Sequence, residues 1–429
     1  MKVSQLQSSL LRHFIVNNTK PYEAILKNVR SRPDVWVTSQ GDYIDWWQKR
    51  ENSTLTIVVA DGQCRVSSSL ENAVIEKFPG EFIETSVVAC PETTFSGELW
   101  ITIDRRIPHN VWLMEFLKRE GIFNVRVADE GEFMISWEEV APLIETIETK
   151  QRDRRRTRPF EEDVIALRQM VIDKLAQRHL PLLRVWYHQK VSGIIPKAVF
   201  SPRYDVDRAI TNLGHIRQLE KKYNVESTLY LRAFCPFYNE DAIRALAEAP
   251  WCSEIGLHGE FVTHARQYGG EFHAAAVEKL RLERLTGRRV TGVCMHGGEL
   301  TQNKSQQTAR IVDETEFAYD TSMTFPYYFP FREIINGRPS RSYLLCHTVS
   351  DIAIPANFSY GQALYDQAVS KMDEIYENHG VFVFMQHPVY FGFLTYLREM
   401  KNWKPLAKFA ANAFLSFRFN GRKTGSVYG

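Results

Sequence analysis

Between Lys197 and His387, five short apolar runs alternate with stretches of helical character: KAVFS, STLYLR (227–232), EIGLH (254–258), VTGVCMH (290–296) and VFVFMQH (381–387). This alternation constrains the fold more than any other feature of the chain, because strands taking turns with helices imply a parallel sheet or a (β/α) barrel. The helical stretches are Ile210–Tyr223, Asp241–Ala249 and Gln362–Glu377. In the last, Leu364, Ala368, Met372 and Ile375 form a stripe, and Gly380 is the expected C-terminal stop. KAVFS is expected to be a short strand ending at Pro202. Folds of this kind carry their chemistry at the C-terminal ends of strands. Three runs end there in polar groups that a packed core does not need: Asp205 with Asp207, His258, and His387 before Pro388.

Asp205 and Asp207 are two residues apart, so extended backbone sends both side chains to the same side. One carboxylate suits a divalent cation while the other acts as a base. His258 suits a neutral imidazole ligand, and two imidazoles with one carboxylate are a familiar set for zinc or another transition metal. Singly, a strand-end Asp is most often a cap and a single His a satisfied polar group. Their coincidence at successive strand ends favours a functional role.

The segments FSPRYDVD, STLYLR, EIGLHGE, EKLRLERLTGRRVTGVCMH, FAYDTS and FVFMQHP, in this order, resemble the polysaccharide deacetylase family (carbohydrate esterase family four, which includes chitooligosaccharide and peptidoglycan deacetylases) over about residues 197–390. The resemblance implies an α/β chain with a distorted (β/α) barrel of the polysaccharide deacetylase type, preceded by a smaller mixed α/β domain. It also implies a hydrolase of non-peptide carbon–nitrogen bonds that uses one divalent metal ion, zinc first among the candidates. Its substrate would be an N-acetylated saccharide that loses its acetyl group, in the making of a surface polysaccharide. Matched position by position, Asp205 is the general base, Asp207 the metal-binding carboxylate, His258 the first metal-binding histidine and His387 the general acid.

The chain departs from the family pattern in places. Val262 stands where a second metal-binding histidine is expected, leaving the third ligand open between His264 and His296. His296 is preferred, because a strand end points into the barrel mouth and the following Gly-Gly leaves room for close approach. Cys294 stands near the place of an arginine that orients the catalytic aspartate, with Arg203 and Arg332 as candidates to replace it. Asp320 is expected to be a structural cap. Tyr327, Tyr328, Phe329, Tyr390 and Phe391 are either sugar-stacking residues at the mouth or packing residues.

A chain of 429 residues exceeds one ordinary core. Residues 1–51 contain RPDVWVTSQGDYIDWWQKRE (32–51), which resembles the closing strand and helix of a deacetylase domain. That segment is either the remnant of an upstream repeat or a permuted closing element docked on the barrel; otherwise Trp46 and Trp47 are ordinary core aromatics. Residues 52–150 read as a small α/β domain of unknown role. TLTIVVA before Asp61-Gly62 signals a hairpin. Strands near Leu99–Ile103 and Asn124–Val127 flank a helix over Asn110–Arg119, and Ser136 with Glu139 forms a capping box. No GxGxxG or Walker loop appears, so no nucleotide cofactor is assigned. Residues 151–196 hold the basic linker QRDRRRTRP and an amphipathic helix marked by Val164, Leu167, Val171 and Leu175. Residues 197–429 form the catalytic domain.

A net charge of +2 gives no electrostatic case for a nucleic-acid partner. No run reaches the length of a membrane span, and the start lacks the pattern of a secretory signal. Six scattered cysteines without a CxxC pair suggest reduced thiols and a cytoplasmic protein. Two other functions compete: a degenerate, non-catalytic carbohydrate-binding or scaffolding module, and a hydrolase of cyclic amides such as ureides.

Overall fold

The computed structural model describes residues 19–391, apart from positions 72, 84–85, 91–92, 109, 155–160, 209, 297–304, 324–327, 337 and 352–361. Its centre is a curled sheet of ten strands. From one edge the order is Phe331–Ile335, Arg338–Leu344, Tyr319–Asp320, Gly292–Met295, Glu254–Gly259, Thr228–Leu231, Ala198–Val206, Val381–Gln386 and Val349–Ser350. Every pairing is parallel except the hairpin at the Phe331 edge. Parallel strands need crossovers, and helices supply them. The stripe of Gln362–Glu377 shows why this helix packs: Leu364, Ala368, Met372 and Ile375 are all buried. The stop differs from expectation, for His379 takes the left-handed conformation (φ 60°) while the Gly380 N–H closes on Ile375 O at 2.9 Å. Gly380 is required for another reason: a Cβ there would lie 2.8 Å from the Tyr328 Cβ.

The tenth strand is Val35–Val37, paired in parallel with Ala198–Phe200. The helix that follows, Gln40–Glu51, is N-capped by Ser39 and lies across the N-terminal ends of the strands. There Gln40 N donates to Thr228 Oγ1 (2.9 Å) and Gly41 N to Glu254 Oε2 (2.8 Å). Trp46 and Trp47 are buried in the same cluster as Val199, Tyr230, Cys294, Tyr319 and Val383. Helix Thr19–Arg30 adds Tyr22, Ile25, Leu26 and Val29 to the core on the other face.

The Ala198–Val206 strand runs straight through Pro202, correcting the expected end there. Phe200 O accepts from Thr38 N, so residues 200, 202 and 204 direct their backbone polar groups toward that edge. On that edge Val35–Val37 covers positions 198–200 and Thr228–Leu231 covers 203–206. Pro202 falls in the gap between the two partners, so its missing N–H leaves no ladder bond unmade.

A second hydrophobic core lies between Leu55 and Val185. The Asp61-Gly62 turn is a two-residue connection between Ala60 and Gln63, with φ of 50° and 70°, the mirror-image turn that matches strand twist. Strands Ile101–Asp104 and Val125–Ala128 pair in parallel around helix Asn110–Arg119. Glu139 Oε2 accepts from Ser136 N (2.8 Å) and from Ser136 Oγ (2.9 Å) at the start of helix Trp137–Arg154. That helix takes in the first four residues of the basic run; positions 155–160 lie outside the described residues. Val164, Leu167, Val171 and Leu175 of helix Glu161–Ala176 are buried in this second core, each worth about 1.5–3 kcal/mol of burial.

Cys64 and Cys90 form a disulfide with Cα atoms 6.2 Å apart, correcting the expectation of six reduced thiols. The two sit 26 residues apart on adjoining antiparallel segments, a separation no short motif marks, and the cytoplasmic expectation loses that support. Cys235, Cys252, Cys294 and Cys346 are free thiols. Among the described residues no helix is long and apolar enough to cross a membrane.

Candidate active site

The alternation of side chains along Ala198–Val206 decides what the sheet presents inside. Val199 packs in the inner cluster with Trp36 and Cys294, whereas Phe200, Tyr204 and Val206 belong to the outer core. The odd-numbered positions therefore face inward, which brings Arg203 and Asp205 to one side, with Asp207 just past the strand end.

Asp207, His258 and His296 converge, their ligand atoms all lying within 4.8 Å of one another. Asp207 Oδ1 is 2.9 Å from His258 Nε2 and 3.3 Å from His296 Nε2. Donors bonded to a divalent ion at about 2.0–2.2 Å stand roughly 3.3–3.6 Å apart in a tetrahedron, so the Asp207–His296 separation matches one, and the Asp207–His258 pair, at hydrogen-bond distance, would open by a few tenths of an ångström to take it. The ring tautomers fit as well. His258 Nδ1 is 3.2 Å from the Cys294 carbonyl and 3.0 Å from Cys294 Sγ; in the tautomer whose proton is on Nδ1 the carbonyl accepts it, and the Nε2 lone pair faces Asp207. His296 Nδ1 is 3.3 Å from Glu260 Oε1, with the same consequence for its Nε2.

His264, the other candidate for the third ligand, is outside this group. It lies on helix Phe261–Tyr268, and its Nδ1 is 2.7 Å from Glu278 Oε1, so its ring is spent on a buried carboxylate. Gly297 and Gly298, which supported the preference for His296, lie outside the described residues.

Asp205 is buried beside the group. Its Oδ2 accepts from Arg203 Nη2 at 2.9 Å and its Oδ1 is 3.6 Å from Cys294 Sγ. Burial pushes the carboxyl up, but the Arg203 guanidinium, with His258 and His387 behind it, outweighs this and holds it below the usual carboxylate range. Of the two candidate arginines, Arg203 is the one that contacts Asp205. Arg332 does not: it pairs with Glu51 and donates to Tyr343 Oη at 2.6 Å.

His387 Nε2 is 3.8 Å from Asp207 Oδ2. Behind it, Asp351 accepts from both His387 Nδ1 and His387 N, each at 2.7 Å. Burial alone would favour the neutral ring, yet the Asp351 carboxylate outweighs it and, with Asp205 and Asp207, raises the imidazole to about 9. Asp351 directly follows strand Val349–Ser350, beside Val381–Gln386. It was not singled out from the sequence, although HTVSD carries the same signal as the other sites, a short β-branched run ending in an acid.

Glu260 and Arg232 were missed too. Arg232 follows strand Thr228–Leu231 and grips Glu260 with two hydrogen bonds, Nε to Oε2 at 3.0 Å and Nη2 to Oε1 at 2.7 Å. Burial pushes the Glu260 carboxyl up, but His296 and Arg232 together bring it down to about 2. Asp320 is a cap, accepting from Ser322 N at 2.8 Å.

Of the aromatic residues suggested for the mouth, the three whose side chains are described take the packing alternative. Tyr328 O accepts from Val381 N at the start of a strand, the end opposite the acids and histidines. Phe329 stacks on Trp47 and Tyr187, and Phe391 packs edge-on against Tyr22. Tyr327 and the Tyr390 side chain lie outside the described residues.

No known family profile matches the chain, and no curated protein does. Solved structures similar to it include polysaccharide deacetylases, members of carbohydrate esterase family four and an allantoinase. A protein assigned as a polysaccharide deacetylase from Mycobacterium smegmatis is 16% identical over 47% of this chain and 82% of its own, with a TM-score of 0.33. The PuuE allantoinase is 19% identical over 46% and 80%, with a TM-score of 0.35. A family-four pseudoenzyme from Bacillus anthracis is 14% identical over 47% and 60%, with a TM-score of 0.29. Likenesses this remote assign no activity, which leaves the chemistry to be argued from the site.

Proposed function

We propose that the chain is a metal-dependent hydrolase that removes the acetyl group from an N-acetylated sugar in the making of a surface polysaccharide. In this reading residues 19–51 and 197–391 build a distorted (β/α) barrel, and the unit between them is a smaller α/β insertion. The observation that carries the proposal is the convergence of Asp207, His258 and His296, flanked by two supported groups: Asp205 on Arg203, and His387 on Asp351.

Asp207, His258 and His296 would hold the cation, zinc being the first candidate for one carboxylate and two imidazoles. When bound, a divalent cation polarises an acyl oxygen and acidifies water. Asp205, kept ionised by Arg203, accepts the proton of the attacking water. Arg203 also donates to the Thr321 carbonyl and to Thr321 Oγ1, which fixes the direction from which Asp205 approaches. His387 carries a proton on Nε2 while Asp351 accepts from its Nδ1–H, so it serves as the acid that protonates the leaving nitrogen. An amine is too basic to leave as an anion, so this proton is required for the carbon–nitrogen bond to break.

The test is acetate release from a panel of N-acetylated sugars, by chelator-stripped and zinc-restored protein. Activity that needs metal and disappears in Asp205→Ala supports the proposal. Full activity in that variant overturns the mechanism. Turnover of ureides instead of sugars moves the substrate to cyclic amides, and glycan binding without metal or turnover makes the site a degenerate binding module.

A further inference from the structure

Val262 cannot ligate a metal, and the imidazole that takes up the third position comes from a different strand end. His258 is held on all sides: its side chain is 2% exposed and its Nδ1 is tied to a backbone carbonyl. His296 is much freer, with its side chain 29% exposed. What sets its ring is Glu260, which belongs to the same HGEFV segment as Val262.

Resting on the metal site proposed above, we propose that Glu260, gripped by Arg232, is the positioning residue that makes His296 a metal ligand. Three neighbouring strand ends supply the parts: Arg232 after Thr228–Leu231, Glu260 after Glu254–Gly259, and His296 after Gly292–Met295. The two-pronged Arg232 contact fixes the carboxylate plane, and both side chains are largely buried, at 11% and 7% exposure. The Glu260 backbone is fixed as well, its N–H donating to Glu278 Oε2 at 2.9 Å. With Oε1 accepting from His296 Nδ1–H, the proton stays on Nδ1, and the Nε2 lone pair is aimed at the point that Asp207 Oδ1 and His258 Nε2 share. A carboxylate behind an imidazole also makes the ring a stronger donor. The segment thus compensates for the valine at its fifth position with the glutamate at its third.

The experiment uses the full-length protein and Zn²⁺ or Co²⁺ alone as the probe, so it does not depend on turnover. Zn²⁺ affinity is measured by chelator competition, and the Co²⁺ visible spectrum reports coordination. Glu260→Ala is expected to weaken Zn²⁺ by about 10–100-fold and to alter the Co²⁺ spectrum. Glu260→Gln, whose amide oxygen still accepts from Nδ1–H, should lose less, and Arg232→Lys should follow Glu260→Gln. Thermal unfolding of the metal-free Glu260→Gln and Arg232→Lys proteins should stay close to wild type, whereas Glu260→Ala leaves a largely buried Arg232 without its partner and should melt lower. Wild-type affinity and spectrum in Glu260→Ala, alongside metal loss in His296→Ala, would overturn the role of Glu260 and leave the site standing. A Glu260→Gln protein that unfolds like wild type yet loses as much Zn²⁺ affinity as Glu260→Ala also overturns it, because the retained acceptor should have kept the ring in place. A wild type that binds no Zn²⁺, or undiminished binding in His296→Ala and Asp207→Ala, removes the site and the inference together.

Discussion

Arg203 and Asp205 lie on the same face of one strand, and their buried side chains meet at 2.9 Å. Two-residue spacing on extended backbone is enough to bring this about, so the guanidinium that supports the proposed base comes from that residue's own strand.

This pairing predicts a pH effect with a definite sign. Arg203 holds the Asp205 carboxyl below its ordinary range, so weakening the contact lets that pKa rise. A base works only when ionised, so in Arg203→Lys the acid limb of kcat/KM should move to higher pH. Arg203→Met removes the cation hydrogen-bonded to a buried carboxylate and should cost about 3–5 kcal/mol of stability. A pH–rate profile for the first and denaturant unfolding for the second check the two halves. An unmoved acid limb would mean that Asp205 is not the titrating base.

The His387–Asp351 contact predicts the opposite limb. In the metal-free protein the His387 ring should titrate near 9, above the ordinary histidine value of 6.5. Because the folded pKa is raised, its contribution to stability is complete below about 6.5 and is lost as pH rises through about 9. Asp351→Asn removes the main stabilising charge, so the titration followed by imidazole C–H resonances should fall to lower pH. Activity at neutral pH should drop about 10²–10⁴-fold if His387 is the general acid.

Glu220 is a structural test away from the site. It is buried beside Ser227 and Tyr204, its Oε1 has no hydrogen-bond partner among the described residues, and burial raises its carboxyl to about 7 from 4.5. The folded state therefore holds this proton more tightly than the unfolded one. Stability should be complete below about pH 4.5 and decline as pH rises through about 7, on the order of 3 kcal/mol in all. Glu220→Gln should flatten this slope, measured as urea midpoints between pH 5 and 8.

Local features of this kind were visible in the sequence to the extent that short-range rules govern them. The Asp61-Gly62 turn, the Ser136–Glu139 box and the stripe of Gln362–Glu377 each depend on neighbours within a few residues, and each forms. Asp205, Asp207, His258 and His387 were visible because strand ends mark them. Pro202 was misjudged because its tolerance depends on where two partner strands happen to stop. For Tyr328 and Phe329, left open between stacking on a sugar and packing, the structure gives packing, because which end of the sheet they reach depends on distant partners. Arg232 and Glu260 escaped notice because their roles exist only through partners 28 to 36 residues away, whereas Asp351 carried the strand-end signal on a run only two strand residues long.

His264 and His296 give the contrast that separates coordination from packing. His296 Nε2 faces Asp207, whereas His264 Nδ1 faces Glu278, a carboxyl that burial raises to about 7 and whose other oxygen supports the Glu260 backbone. Removing His264 leaves that buried carboxyl short of a partner, so His264→Ala should lose about 1–3 kcal/mol of stability. It should still bind one Zn²⁺ per chain. His296→Ala removes a ligand from a partly exposed position, so it should keep most of its stability and lose stoichiometric metal. Metal analysis of both variants, paired with their unfolding midpoints, should show these two losses falling on different proteins. Equal metal loss in His264→Ala would place the third ligand on helix Phe261–Tyr268 after all.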